Sequence, residues 1–512
     1  MIRKNILNSV VIVAVALAFV MPGSAAFANV KETRSTHSTT SMGNPSSWLE
    51  EAKLTASDGA PPAFYGFSAS IDGNTAIVGA WMQGGLKGAA YVYTRTGTNW
   101  TQEAKLTASD GAPPDEFGYS VSIDGNTVIV GSYNNLGGRG SAYVFVRTGT
   151  NWTQQAKLLA SDGQSGDGFG YTVAINGNTA MAGAWRDENL TGAAYVYTRT
   201  GTNWTQQAKL TATDGQNEDY FGYSVSIKGN SAIVGARNKD AITGAAYVYT
   251  RTGTTWVEEA KLIASDGQAG DQFGLSVSIN GDTAVVGAPG STGFTTGAAY
   301  VYTRTGTTWT QKARLVGSDS QLNSGFGWCV SLNGDSTSFI AGSPGGDNNN
   351  GSAYIFTHSG ANWTQEAKLT ASDATAGDFF GLSVSFSGGS VIAGAFGDDG
   401  YKGSAYVFVK PVVLQIGTLK GGLGVTATIK NTGVASATNV SWSIKFDGGL
   451  VFPKVKTGPM STLGAGEQKT AKAIVFGIGK TTIVVTATCD EGAIAQLSKT
   501  ALVFGPFVFG VV

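Results

Sequence analysis

FGYSVSIDGNTVIVGSYNNLGGRGSAYVFVRTGTNWTQQAKLLA, residues 117–160, holds four strand patterns and the turns between them. In the first pattern Phe117, Tyr119, Val121 and Ile123 share one face, and Gly118, Ser120 and Ser122 share the other. That is the period of two of a β-strand with one bulky and one small side. Asp124-Gly125-Asn126 makes a tight hairpin turn. TVIVGS (127–132) is a second strand, SAYVFVRT (141–148) a third after the loop 133–140, and WTQQAKLLA (152–160) a fourth. The small-faced first strand suits the crowded centre of a ring of wedges, and the fourth suits its rim.

The unit recurs. Trp48, Trp100, Trp152, Trp204, Trp256, Trp309 and Trp363 are separated by 52, 52, 52, 52, 53 and 54 residues. A repeat of this length made only of strands and turns predicts a β-propeller, one blade per repeat. The first-strand pair stands at Tyr65-Gly66, Phe117-Gly118, Phe169-Gly170, Phe221-Gly222, Phe273-Gly274, Phe326-Gly327 and Phe380-Gly381. Yet the chain enters on a fourth-strand pattern (48–56) and leaves on a third (403–409). Seven blades therefore require the first strand in sequence to complete the last blade. Each fourth strand carries a basic residue, Lys53, Lys105, Lys157, Lys209, Lys261, Arg314 or Lys368. It is expected to protect an open edge from pairing with another chain.

Gly is 73 of 512 residues and charged residues are 13%, a composition of short strands and tight turns in an all-β protein. The net charge of -1 argues against a phosphate-neutralising surface, so no nucleic acid is expected as partner. Residues 1–28 read as a signal peptide, with Arg3 and Lys4, an apolar run from Val10 to Met21 and Ala26-Phe27-Ala28 at the cleavage point. The run is short for a membrane span. Export to the medium or the cell surface follows as the expectation, and 29–47 is a Ser/Thr-rich linker. Cys329 and Cys489, far apart, are expected as small buried residues and form no disulfide framework.

Tyr/Phe-Gly opening the first strand and Gly-Ala-Pro closing the second, complete in FGLSVSINGDTAVVGAP (273–289), resemble FG-GAP repeats. The resemblance covers Trp48 to about Val409 and implies the seven-bladed propeller of integrin alpha headpieces and of prokaryotic surface proteins. Integrin-type blades often carry a calcium loop between the first two strands. Here that connection is DGNT, NGNT, KGNS or NGDT, too poor in carboxylates for an ion that needs six to eight oxygens. No metal and no cofactor is expected, as in a short-loop form of the repeat.

Two acidic sets lie between blades: Asp58, Asp110, Asp162, Asp214, Asp266, Asp319 and Asp373, and then Asp115, Asp167, Asp219, Asp271 and Asp378. Residues that repeat in every blade fit turn-forming carboxylates better than a ligand site. Arg95, Arg147, Arg199, Arg251, Arg304, His358 and Lys410, ending the third strands, read as solvated turn residues.

The loop from second to third strand differs in every blade, and variable loops on a rigid scaffold are where binding resides. At its start stand Trp81, Tyr133, Trp185, Arg237 and Phe396, the candidate ligand-binding residues. Exposed, they would stack on sugar rings or anchor a protein; otherwise they pack on the neighbouring blade's loop. With only His37 and His358, nucleophile–histidine and histidine–metal sites lack their parts. A paired-carboxylate glycan hydrolase or lyase has carboxylates enough but no pair singled out.

From 411 to 512 the repeat stops. GVTATIKNTG, TNVSWSIKFDG and TTIVVTATCD read as strands, with Trp442 to fill a core and ALVFGPFVFGVV as a last core strand. The pattern resembles immunoglobulin-like sandwiches of surface proteins. The expectation is a non-enzymatic binding or adhesion protein with a propeller at 48–410 and a sandwich at 411–512. Its partner is a surface protein or a glycan, with a lectin as the alternative.

Overall fold

The structure, a computed structural model, describes residues 48–290, 295–359, 362–433, 435–490 and 493–511. The expected signal peptide (1–28) and linker (29–47) lie outside the described residues.

Seven four-stranded antiparallel sheets form the blades. The second blade runs Ser120–Asp124, Thr127–Ser132, Ser141–Thr148 and Asn151–Leu158 from the axis outward. The ring closes as the strand count requires. Leu49–Leu54 pairs antiparallel with Ser404–Val409, Leu49 opposite Val409 and Leu54 opposite Ala405.

The second strand of every blade is buried along its whole length, so TVIVGS and its copies are continuously apolar or small rather than alternating. The cores lie between blades. Ile77, Val92 and Leu106 of the first blade pack with Phe117, Val121 and Tyr143 of the second. At the axis the serines of the small face accept hydrogen bonds from the next blade. Val173 N donates to Ser120 Oγ and Ile175 N to Ser122 Oγ, and Cys329 Sγ takes the same role toward Val384 N. Cys329 and Cys489 are both half-buried rather than fully buried.

The fourth-strand cations correct one expectation. Each of the seven is held in an ion pair, and the partner is the first acidic set: Lys53–Asp373, Lys105–Asp58, Lys157–Asp110, Lys209–Asp162, Lys261–Asp214, Arg314–Asp266 and Lys368–Asp319. The other carboxylate oxygen accepts the hydroxyl of the third-strand tyrosine at 2.7–2.9 Å in all seven blades. The triad clasps each crossover loop to the blade it enters. The turn role belongs to the second set, where Asp115, Asp219 and Asp271 accept the backbone N–H three residues earlier.

The third-strand cations are not free in solvent either. Arg95, Arg147, Arg199, Arg251, Arg304 and Lys410 lie 5.2–6.0 Å from the ring centre of a marker tryptophan. The indole N–H of that tryptophan donates to Glu or Gln on the preceding blade, as in Trp100 to Glu51 at 2.8 Å and Trp256 to Gln207 at 2.8 Å. The seam before the sixth blade departs from this: Lys312 stands at the acceptor position, and Trp363 packs on Phe339 and His358.

Past the ring, Leu414–Lys420, Val425–Asn431 and Gln468–Ala473 form a three-stranded sheet. A larger sheet is built on Ala437–Asp447, Phe476–Thr488 and Ile494–Gly505. They share one core through Val425, Ile429, Ile444, Ile483, Val485 and Val503. Trp442 sits half-buried at the rim of that core rather than in it. No helix among the described residues is long and apolar enough to cross a membrane.

Candidate binding site at the mouth of the ring

The innermost strands line an axial cavity of about 600 Å³, and one end of it is aromatic. Three positions in each blade build this mouth. One is the residue after the second strand, the position of Trp81, Tyr133, Trp185, Arg237 and Phe396. The second is the residue after Tyr/Phe-Gly, which is Phe67, Tyr119, Tyr171, Tyr223, Leu275, Trp328 or Leu382. The third precedes Tyr/Phe-Gly and holds a positive φ, as in Phe64 (54°), Tyr220 (59°) and Phe379 (56°). A bulky residue there is strained, and such strain persists where the surroundings fix it.

The five candidate residues do come together, but not as separate exposed platforms. Trp81, Tyr133, Trp185 and Phe396 are only 4, 4, 8 and 7% exposed. They pack on the neighbouring blades' loops, the second of the two arrangements the sequence allowed. Phe379 stacks on Phe396 at 5.1 Å, and Phe64 meets both Phe396 and Trp81 edge-on. Trp81 then contacts Tyr119, Tyr119 contacts Tyr133 and Tyr171, and Tyr171 contacts Trp185 and Tyr223. The arc ends on Arg237, whose guanidinium lies 4.1 Å from the Tyr223 ring centre. Among the described residues no ring contact carries it on across Leu275, Pro289, Trp328 and Pro344. There a second cavity of about 420 Å³ adjoins it, also lined by Trp328, Phe379, Leu382 and Phe396.

Polar groups in the arc are directional. Tyr119 donates to Tyr171 (3.3 Å), which donates to Tyr223 (2.8 Å). Burial pushes the Tyr119 and Tyr171 hydroxyls well above their usual range, so both stay neutral donors. Arg237 is half-buried, and its Nε and the indole nitrogens of Trp81 and Trp185 are buried without a partner among the described residues. Buried polar groups are normally hydrogen-bonded, so these three nitrogens in one arc hold bonding capacity that no described residue fills.

Sequence reading missed the residues after Tyr/Phe-Gly. It placed Tyr119 on the bulky face with Phe117, but in the first and fourth blades the register shifts between Tyr65 and Ser68 and between Phe221 and Ser224. That bulge turns the intervening side chain to the mouth. The available signal was variation: Phe, Tyr, Tyr, Tyr, Leu, Trp and Leu occupy a position whose next neighbour is always small, Ser in five blades and Thr172 or Cys329 in the others.

Behind Tyr133, Glu116 is fully buried with Oε2 unpartnered and Oε1 at 3.4 Å from Asn134 Nδ2. Burial pushes its carboxyl from 4.5 up to about 7, opposed by Tyr133, Asn134 and Arg186. Because the folded form holds the proton more tightly, this contribution is complete below about pH 4.5 and lost as pH rises through 7. The loss is on the order of 3 kcal/mol. Glu116→Gln is therefore expected to melt several degrees above wild type at pH 8 and within a degree of it at pH 4.5, in parallel thermal scans.

Asp162, Asp187 and Glu188 approach one another as metal ligands would. Lys209 Nζ already lies 2.8, 2.8 and 2.9 Å from them, so an ammonium takes the place of a cation. At the turn where calcium loops would sit, Asp124 accepts from Gly177 N at 2.8 Å and Asp72 from Gly125 N at 2.7 Å. These carboxylates latch one blade to the next.

Among solved structures, one titled Kuenenia stuttgartiensis Hydrazine Synthase is similar at 12% identity and a TM-score of 0.45, over 66% of this chain and 94% of that one. At that score the likeness bears on no function. No curated protein matches. The FG-GAP repeat model matches at residues 48–93, 100–145, 152–197, 204–249, 256–302, 309–356 and 363–408. With seven matched repeats forming seven blades that close one ring, the chain belongs to the FG-GAP repeat family.

Proposed function

We propose that this chain is a non-enzymatic binding or adhesion protein, exported to the medium or the cell surface, whose propeller takes its partner at the aromatic mouth. One observation carries the reading: an arc of aromatic side chains rims a 600 Å³ cavity and ends in Arg237, a guanidinium without a carboxylate partner among the described residues. Apolar walls with a few convergent polar groups are the usual make-up of a ligand pocket. Arg and aromatic residues also dominate the energetics of protein contacts. The partner is a surface protein or a glycan presenting an acidic group to Arg237. The two-sheet unit from about residue 411, read as an immunoglobulin-like module, spaces or attaches the ring.

The lectin form of this reading draws on the Tyr119–Tyr171–Tyr223 hydroxyl chain beside flat ring faces, since sugars use both. A glycan array separates the two, because a protein-directed mouth is silent across sugars. Removing Trp81 or Trp185 would leave a hole in the packing, so the sharper variant is Arg237→Gln. It is expected to weaken capture of the partner at least tenfold in a pull-down, with a melting temperature within about two degrees of wild type. Undiminished capture by Arg237→Gln would remove the mouth as the site.

A further inference from the structure

The far end of the larger C-terminal sheet exposes an apolar surface that the propeller does not use. Strand register puts Leu450, Ile478, Phe504, Phe507 and Leu423 in one row across five strands. Phe452 and Phe476 pair beside it, as do Leu502 and Phe509. All nine are exposed, Leu450 at 80%, Phe452 at 78% and Phe476 at 65%. The alternate residues Val451, Val503 and Val508 fill the core. So the segment ALVFGPFVFGVV, expected as a core strand, is one on a single face only. At about 100 Å² for each exposed side chain, the patch exceeds the few hundred Å² usual on a soluble monomer.

Three features choose the occupant. Polarity rises along the strands: Phe476 and Ile478 give way to Lys480, Thr482, Val484 and Thr486 on the same face, while Phe504 and Leu502 give way to Thr500, Ser498 and Gln496. The apolar zone is thus only roughly 13 Å deep, and it reaches the very tips of the hairpins instead of being ringed by polar residues. Next, the zone is bordered by Lys420, Lys454 and Lys480, none in an ion pair among the described residues, Lys454 donating to the Gly448 and Gly449 carbonyls. Residues 411–512 carry nine lysines against four carboxylates, in a chain of net charge -1. Finally, the opposite end of the sheet adjoins the propeller exit, where Ala435 N bonds to Pro411 O. The patch lies roughly 30 Å of strand away from it, at the far end of Ala437–Asp447.

We propose that this tip is a docking surface for an anionic lipid bilayer. Its phenylalanines and leucines enter the interfacial layer while the lysines snorkel to acidic headgroups. A shallow apolar tip backed by lysines matches the depth and charge profile of one membrane face. A face built for a second copy would instead have an apolar centre and a polar rim.

The test is co-sedimentation of the full chain with vesicles of phosphatidylcholine alone or mixed with phosphatidylglycerol. Wild type is expected to pellet mainly with the anionic vesicles, less so as salt is raised. Phe452→Ser, Phe476→Ser, Phe504→Ser and Phe507→Ser combined are expected to lower that partition at least tenfold with an unchanged melting curve, these positions being exposed. Residues 1–47 are common to both proteins, so the difference reads the tip alone. A triple variant, Lys420→Gln, Lys454→Gln and Lys480→Gln, is expected to abolish the preference for phosphatidylglycerol. Equal pelleting of wild type and the serine variant overturns the proposal. So does absence of vesicle binding with a concentration-dependent dimer that the serine variant loses, which would make the tip an interface between copies.

Discussion

A chain lacking residues 48–56 is expected not to fold as a ring. That segment supplies the outer strand of the last blade, paired over Leu49–Leu54 with Ser404–Val409, and buries Trp48, Leu54 and Ala56. It also closes the polar circuit. Lys53 Nζ lies 2.7 Å from Asp373 and 2.6 Å from Asp398. Burial alone would lower its pKa, and the two carboxylates outweigh that and push it up to about 12. Asp398 is a buried side chain, so without Lys53 it becomes an uncompensated charge, a loss of several kcal/mol by itself. Glu51, which accepts from Arg95 and from the Trp100 indole at 2.8 Å, is lost from the neighbouring seam as well. With two large apolar side chains and a strand ladder added, the deficit is on the order of 10 kcal/mol, comparable with the whole stability of a domain. Soluble expression should collapse, and a synthetic peptide of residues 47–58 added during refolding should restore a cooperative melt. A truncated ring with the wild-type melting temperature would mean that closure does not depend on this strand.

This closure was legible because it follows from counting. Seven copies of each strand pattern, with entry on a fourth and exit on a third, leave one pairing that satisfies every ladder. The clasps were legible in principle too. Asp and Tyr recur 33 to 35 residues apart, and Asp and its Lys partner 47 to 49, from the second through the last such pair. A constant spacing across repeats implies a constant contact. Read singly, each residue had an ordinary surface role, as an edge cation or a turn carboxylate. The mouth was half legible. Variation between repeats located Trp81, Tyr133, Trp185, Arg237 and Phe396, but their burial depends on residues a blade away and on a bulge that alternation cannot reveal. The apolar tip was not legible, since a strand such as ALVFGPFVFGVV shows two alternating faces without saying which one is covered.

Glycine in the repeat signature carries the second large effect. Gly118, the glycine of Phe117-Gly118, holds φ at 91°, and a Cβ there would overlap the Ala89 carbonyl oxygen of the preceding blade. A Cβ on Gly131 would overlap Gly170 O, and one on Gly88 would overlap Phe117 O. Three positions per blade thus bring backbone against backbone at the axis end of the seam, with no flexible side chain to give way. Positive φ alone costs an alanine about 1–2 kcal/mol, whereas parting two blades also strips the packing of Ile77, Val92 and Phe117 between them. Gly118→Ala is therefore expected to cost at least about 4 kcal/mol, in the range that only core disruption reaches, and to lower the melting temperature by about 5 °C or more. Gly97→Ala is the control. Gly97 has a φ of 64° and open space around its Cβ position, so it carries the conformational cost alone and should melt within a few degrees of wild type. If both variants lose the same amount, the glycines serve backbone conformation only, and the close approach of blades is not what the repeat signature encodes. If Gly118→Ala loses far more, the signature is a packing rule. The variable residues that follow it, Phe67, Tyr119, Tyr171 and Tyr223 among them, then owe their place at the mouth to that fixed approach.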